Sequence, residues 1–206
     1  MSETVEFWEQ HYGAKERVWS GRVNARLAET VEPLAPGRAL DLGCGEGADA
    51  IWLARHGWQV VAADVSPTAL ARAAEDARTA GVADRIEFQR HDFAESLPEG
   101  RFDLVSAQFL HSPVPLDRDS VLHRAAARVA PGGLLLIVDH GATPEWTWKD
   151  GHPHDLPSVQ EVLTGLDPDP DHWERLRVET VERDWTSPDG QPATWLDNVI
   201  LLRRLG

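Results

Sequence analysis

A chain of 206 residues with 34 acidic against 20 basic side chains, a net charge of −14 at neutral pH, suits one α/β domain, 1–206, able to bury roughly 70% of its unfolded surface without staples. The charge argues against a surface that holds nucleic acid or anionic lipid by neutralising phosphates, and leaves small neutral or cationic molecules as partners. Cys44 is the sole cysteine, which excludes an internal disulfide framework and fits a reducing compartment.

In chain order, the opening MSETVEFWEQ lacks the basic-then-apolar pattern of a secretory signal, and no apolar run reaches the length that spans a bilayer. A cytoplasmic, soluble protein without a membrane partner is expected, its oligomeric state left open. Residues 1–34, with VEFWEQHY and RVWSGRVNARL, stand outside any strand–helix alternation and read as a cover segment. From there, strand-like runs at 38–43, 58–64, 85–90, 102–109 and 133–139 are separated by helical spacing at 47–56, 67–80 and 117–130. Strands alternating with helices of this length mean crossover units and a parallel sheet. Ser66-Pro67 supplies an N-cap and a proline at the first helical position, while Gly57, Gly81 and Pro131-Gly132-Gly133 mark helix exits. Residues 141–171 read as irregular chain with one short helix at about 157–166, and so long a connection is usually functional or disordered. From 172 onward, WERLRVETVERDW and LDNVILLRRL are two strands joined by the turn residues SPDGQPA, an antiparallel pair.

The most informative stretch is RALDLGCGEG at 38–47, an apolar run ending in Asp41-x-Gly43-x-Gly45-x-Gly47. The run has the look of a buried parallel strand, and the glycines let backbone turn tightly against a ligand. Gly43-x-Gly45-x-x-Ala48 with Asp64 downstream also satisfies the dinucleotide fingerprint. Charge separates the two readings. Asp41, Glu46 and Asp49 surround the loop, and no Lys or Arg lies between Arg38 and Arg55. That field repels a pyrophosphate but stabilises a cofactor carrying a sulfonium and an ammonium, and S-adenosyl-L-methionine is such a cofactor. Asp64, at the end of the second strand, has the carboxylate that two ribose hydroxyls require.

ALDLGCGEG, then VVAADVS at 60–66, QRHDF at 89–93, FDLVSAQ at 102–108 and PGGLLLIV at 131–138 form an ordered series that resembles the class I S-adenosylmethionine-dependent methyltransferases over about 35–140. The resemblance implies a Rossmann-like, doubly wound, three-layer α/β/α fold whose seven strands run 3-2-1-4-5-7-6, with strand 7 antiparallel. It implies that Asp41, Gly43, Cys44 and Gly45 line the cofactor, that Val65 lies against the adenine face, and that Asp92 accepts from the adenine amino group while the Phe93 backbone amide donates to the ring. Gln108 would touch the methionine part. Arg17-Val18-Trp19-Ser20-Gly21 with Asn24 resembles the N-terminal cover of the small thiopurine- and tellurite-resistance-type enzymes, in which Trp19 would close over the cofactor.

For chemistry, His111 in FLHSP falls just past the fourth strand and could take the proton of a hydroxyl, thiol or amine; a packing or gating role is its alternative. His140, in Asp139-His140 at the end of the fifth strand, is the competing site. His152, His154 and Asp155 offer nitrogen and oxygen atoms close together but equally read as polar loop, so no metal is expected. Cys44 reads as a small packed side chain rather than a reactive thiol. Nine tryptophans are many; Trp8, Trp19, Trp146 and Trp148 fall in the two covering segments, where they serve either as an aromatic wall for a planar or cationic ligand or as anchors for loops. The resulting expectation is methyl transfer by direct displacement to a small molecule, either a soft sulfur, selenium or tellurium nucleophile or a hydroxyl or amine, releasing S-adenosyl-L-homocysteine. The alternatives are an NAD(P)-dependent oxidoreductase and a non-catalytic protein that only binds the cofactor.

Overall fold

Alternate side chains of the central strands are buried on both faces, and this makes the molecule a layered α/β fold. The computed structural model describes residues 2–142, 156–186, 190 and 192–206. Its strands are β1 (Arg38–Leu42), β2 (Gln59–Asp64), β3 (Ile86–Arg90), β4 (Phe102–Gln108), β5 (Val129–Ala142), β6 (Trp173–Thr186) and β7 (Pro192–Arg204). They form one seven-stranded sheet in the order β3-β2-β1-β4-β5-β7-β6. Strands β1 to β5 pair in parallel, and β7 runs antiparallel to both β5 and β6, the order that the resemblance implies.

One face carries Leu40, Leu42, Val105, Ala107, Leu135 and Ile137, packed with residues of α5 (Arg118–Ala126) and α6 (Val159–Leu166). The other carries Ala39, Val60, Ala62, Leu104, Leu136 and Val138, packed with α2 (Ala25–Val31) and α3 (Ala48–Arg55). Helix α4 (Pro67–Thr79) begins as expected, with the Ser66 side chain accepting from the Ala69 amide at 3.1 Å. The cover segment contributes α1 (Glu3–Gly13), which lies against α4, and α2.

One expected boundary shifts. Helix α5 stops at Ala126, short of the expected 130, because the chain re-enters the sheet at Val129 beside Phe102. Pro131-Gly132-Gly133 is therefore an irregularity inside β5 rather than a helix exit, with the register slipping between Phe102 and Leu104. Gly133 is required there, since a Cβ would stand 3.0 Å from the carbonyl oxygens of Ala130, Asp103 and Phe102. Strand β5 also runs on past 139 to Ala142, which carries His140 onto the sheet itself.

Leu136, fully buried on the middle of β5, tests the layer arrangement. Leu136→Ala should lower unfolding free energy by about 2–5 kcal/mol, read from urea denaturation, because β4 and β7 on either side prevent the sheet from collapsing onto the cavity.

Candidate functional site

The glycine bend joins β1 to α3. Gly43, Gly45 and Gly47 have φ of 78°, 51° and 82°, left-handed values that favour glycine. The space above them is also taken: a Cβ on Gly43 would stand 2.8 Å from Leu110 Cδ1, one on Gly45 2.9 Å from the Tyr12 hydroxyl, and one on Gly47 2.7 Å from Ala73 Cβ. The Gly43 and Cys44 amides donate to the Ala63 carbonyl at 2.9 and 3.0 Å, tying the bend to the end of β2. Cys44 is partly exposed, and burial of its sulfur together with the nearby Asp64 and Asp41 charges pushes the thiol well up.

Asp64 is buried, and its two oxygens accept from the amides of Gly45 and Ser66, each at 2.9 Å. These bonds orient the carboxylate while leaving each oxygen a further lone pair for a hydroxyl. The loop amide thus goes to Asp64, whereas Asp41 accepts from the Ala50 amide in the first turn of α3 and keeps a buried Oδ2 without a hydrogen-bond partner. Val65 is buried beside Asp64. Past β3, Asp92 Oδ1 accepts from the Ala94 amide at 3.1 Å and Oδ2 accepts the Ser2 hydroxyl, while Phe93 is buried beneath.

The cover is built around Glu46, an acid whose role was not visible as more than local charge. Glu46 is 3% exposed; it accepts from the Val18 and Trp19 amides at 3.1 and 2.9 Å and pairs with Arg72 of α4 at 2.9 Å. Arg72 also donates to the carbonyls of Tyr12 and Lys15. Trp19 remains 51% exposed, yet its indole N–H donates to the Tyr12 hydroxyl at 2.9 Å, directly over Gly45. Glu9 of α1 accepts from the Ser66 hydroxyl and from Thr68, bolting α1 to the start of α4; these bonds hold the Glu9 carboxyl below its usual range against the opposing effect of burial. Tyr12 and Arg72 escaped sequence reading because nothing in their spacing signals contact with the bend, and Glu46, read there as part of the acidic field, turns out to be spent on Arg72 and the cover.

Asp41, Asp49 and Asp64 gather under the bend. Burial raises all three carboxyls, Asp41 further by the charges of Asp49 and Asp64, and Asp49 to about 6 against the hydrogen bond it accepts from the Asn24 amide. An unpartnered buried acceptor, a backbone cradle without room for Cβ atoms and this negative field fit a cationic ligand with hydroxyls to donate. They do not fit a pyrophosphate.

At the ends of β4 and β5 a second group assembles. Gln108 donates to the Ser106 hydroxyl at 2.9 Å, and its buried Oε1 has no hydrogen-bond partner. Phe109 adopts φ 51°, a left-handed conformation uncommon for an aromatic residue. Its amide donates to Val138 and its carbonyl accepts from His111, both at 2.7 Å, and this turn throws His111 back toward β5. The two histidines that read as competing sites therefore belong to one: their rings are 6.0 Å apart and 11° from parallel. His140 stacks on Phe109 at 4.3 Å and meets Trp195 of β7 at 4.9 Å. His111 Nε2 lies 3.5 Å from the buried Asp139 carboxylate, which Arg118 of α5 grips at 2.5 Å. Burial lowers the His111 pKa, Asp139 raises it less, and Arg118 lowers it again, so the ring is neutral near pH 7. His152, His154, Asp155, Trp146 and Trp148 lie outside the described residues. Among the described residues no cluster of His, Cys, Asp and Glu could hold a metal ion.

Comparison with known proteins agrees with this geometry. A family described as a methyltransferase domain matches residues 39–133. The chain is 32% identical over 164 residues to 27-O-demethylrifamycin SV methyltransferase of Amycolatopsis mediterranei, covering 78% of this chain and 58% of that protein. It is 33% identical over 123 residues to a ribosomal RNA small subunit methyltransferase C of Alcanivorax borkumensis, covering 56% and 36%. The chain thus spans about half the length, or less, of these curated relatives. Among solved structures, the N-methyltransferase NodS of Bradyrhizobium japonicum in complex with S-adenosyl-L-homocysteine superposes with a TM-score of 0.69 at 18% identity, covering 98% of this chain and 99% of that one.

The raised Asp49 yields a signed prediction. Its native form binds more protons than the unfolded chain between about pH 4 and 6, so its ionisation costs stability as pH rises through that window. Asp49→Asn, whose amide oxygen still accepts from Asn24, should raise the melting temperature at pH 7.5, with the gain gone by pH 4. An equal gain at both pH values would show that charge is not its source.

Proposed function

We propose, from the methyltransferase-domain match over residues 39–133 and the relatives above, that this chain is a class I S-adenosylmethionine-dependent methyltransferase that methylates a hydroxyl of a small molecule, with His111 as the base. The observation that carries the acceptor type is the His111 imidazole 3.5 Å from the buried Asp139 carboxylate, a ring whose burial lowers its pKa. When bound, the cofactor supplies a methyl group on a sulfonium, whose sulfur keeps the bond pair as S-adenosyl-L-homocysteine leaves. A soft nucleophile needs only positioning in such a displacement, whereas a hydroxyl at neutral pH gains from a base that removes its proton. The name of the Amycolatopsis relative, a methyltransferase of a 27-O-demethyl compound, supports the same choice.

In this reading the backbone at Gly43, Cys44 and Gly45 passes beneath the donor, Asp64 accepts the ribose hydroxyls, Val65 and the Phe93 amide border the adenine, and Asp92 takes its amino group. Asp41 and its neighbours offset the donor's positive charge, and Gln108 contacts the methionine part. Tyr12 and Trp19 cover the bend and exclude water, and the chain reads as a single domain in which 1–34 is the cover and 141–171 the substrate-side insertion, residues 1 and 143–155 of these lying outside the described residues. The net charge of −14 supports a small molecule over the RNA named for one relative, since phosphates would be repelled. A single cysteine supports a cytoplasmic setting, and among the described residues no helix is long and apolar enough to cross a membrane.

Titration calorimetry should give saturable binding of S-adenosyl-L-homocysteine and none of NAD; the reverse would favour the oxidoreductase alternative. Asp64→Ala should weaken S-adenosyl-L-homocysteine by about tenfold or more, the worth of hydrogen bonds to a charged acceptor. His111→Ala should lower kcat by about a hundredfold with cofactor affinity retained, and full turnover would remove His111 from the chemistry.

A further inference from the structure

Asp139 sits in β5 just beyond the last residue paired with β4, with 1% of its surface exposed. A single Arg118 nitrogen, Nη2, bridges both carboxylate oxygens at 2.5 Å, while Arg118 Nε donates at 2.9 Å to the carbonyl of Leu110, the residue before His111. One guanidinium therefore fixes the carboxylate and the loop that carries the imidazole in the same frame. His111 Nε2 is buried, 3.5 Å from Asp139 Oδ1 and without a hydrogen-bond partner at that separation. The distance is beyond a formed hydrogen bond, and bonds of catalytic pairs tighten when substrate is in place.

An ionised carboxylate repels a nitrogen lone pair and attracts an N–H, so the nitrogen facing Asp139 is the one that carries the proton. Left alone, the same carboxylate would also favour an imidazolium, which cannot act as a base. Burial of the ring outweighs that tendency, and Arg118 offsets part of the carboxylate charge. His140, parallel to His111 at 6.0 Å, is too far for a hydrogen bond that would impose the other tautomer.

We propose that Asp139, held by Arg118, is a positioning residue that keeps the His111 proton on Nε2 and so presents a bare Nδ1 to the acceptor hydroxyl. This rests on the methyl-transfer reading above. The O–H proton passes to Nδ1 as an oxygen electron pair forms the bond to the methyl carbon and the carbon–sulfur bond pair goes to sulfur. The imidazolium then loses its Nδ1 proton to water. Asp139 stays ionised, and the Nε2 proton stays where it is throughout.

Long-range 1H–15N correlation of the imidazoles at pH 8, with the His111 signals assigned by their loss in His111→Gln, reads this directly. Wild-type protein should show His111 protonated on Nε2, and a ring protonated on Nδ1 would overturn the proposal. In Asp139→Asn the arginine claims the amide oxygen and leaves an N–H donor facing Nε2, so the ring should switch to the Nδ1-protonated form. With it, kcat should fall on the order of a hundredfold while the KM for S-adenosyl-L-methionine holds. An unaltered tautomer in that variant would also overturn the proposal. Should Asp139→Asn not fold, Arg118→Met provides the second reading. Loss of the offsetting cation should raise the His111 titration midpoint by about one unit, as an opposite charge nearby does, and an unmoved midpoint counts against the arrangement. S-adenosyl-L-homocysteine binding, measured alongside, separates failure of the methyltransferase reading from failure of the tautomer assignment.

Discussion

Three carboxylates lie under one glycine bend, and the rest of the site is arranged around the cost of keeping them there. Asp41 and Asp64 are buried and Asp49 half-buried, with backbone amides as partners rather than cations. Amides orient a carboxylate and lower its energy, but they cancel only part of the desolvation cost, and neighbouring negative charges add to it. A fold that tolerates this strain at the carboxyl ends of β1 and β2 is poised for a positive ligand, because the incoming charge relieves three groups together. The same field explains why a glycine spacing compatible with dinucleotides does not lead to one here.

Glu46 shows how the molecule limits that cost. It sits in the same acidic loop, yet it receives Arg72 and two amides of the cover, so its charge organises structure instead of the ligand field. Through Arg72 and the carbonyls of Tyr12 and Lys15 it draws the segment after α1 down onto α4. Glu9 and Ser2 add further bonds from α1 to Ser66, Thr68 and Asp92. The residues expected to recognise a nucleoside and the residues that cover them are therefore one hydrogen-bonded unit. Ser2 of this unit donates to the Asp92 carboxylate, one of the groups expected to face the nucleoside.

At the other end of the edge, Phe109 decides the geometry. Its left-handed backbone, held by short bonds to Val138 and His111, turns the chain back over β5 and brings His111 to Asp139. Strain of this kind costs on the order of 1–3 kcal/mol. Here it is sustained by the Phe109–His140 stack and by the β4–β5 register on which both strands end. His111, the Asp139 carboxylate that faces it and Arg118, which grips that carboxylate and the Leu110 carbonyl, come from three different elements.

The amino-acid pattern by itself determined the alternation of strands and helices, the Ser66 cap, the glycine bend and its acidic surroundings, because each is a local matter of period, backbone freedom or charge along a few residues. Resemblance added the strand order, including the antiparallel β7. What only the tertiary structure decided was which distant residues meet. Asp64 rather than Asp41 receives the Gly45 amide because β1 and β2 lie side by side with a set register. Glu46 finds Arg72 and the cover because α3 and α4 flank the bend. His111 and His140, separate candidates along the chain, share one site because β5 runs on past the end of β4 and a strained turn folds the chain after β4 back toward it. The α5 boundary shifted for a related reason: pairing of Val129 with Phe102 outweighed helical spacing that ran to 130. Such contacts are fixed by strand register and packing over long sequence separations, and local periodicity carries no record of them.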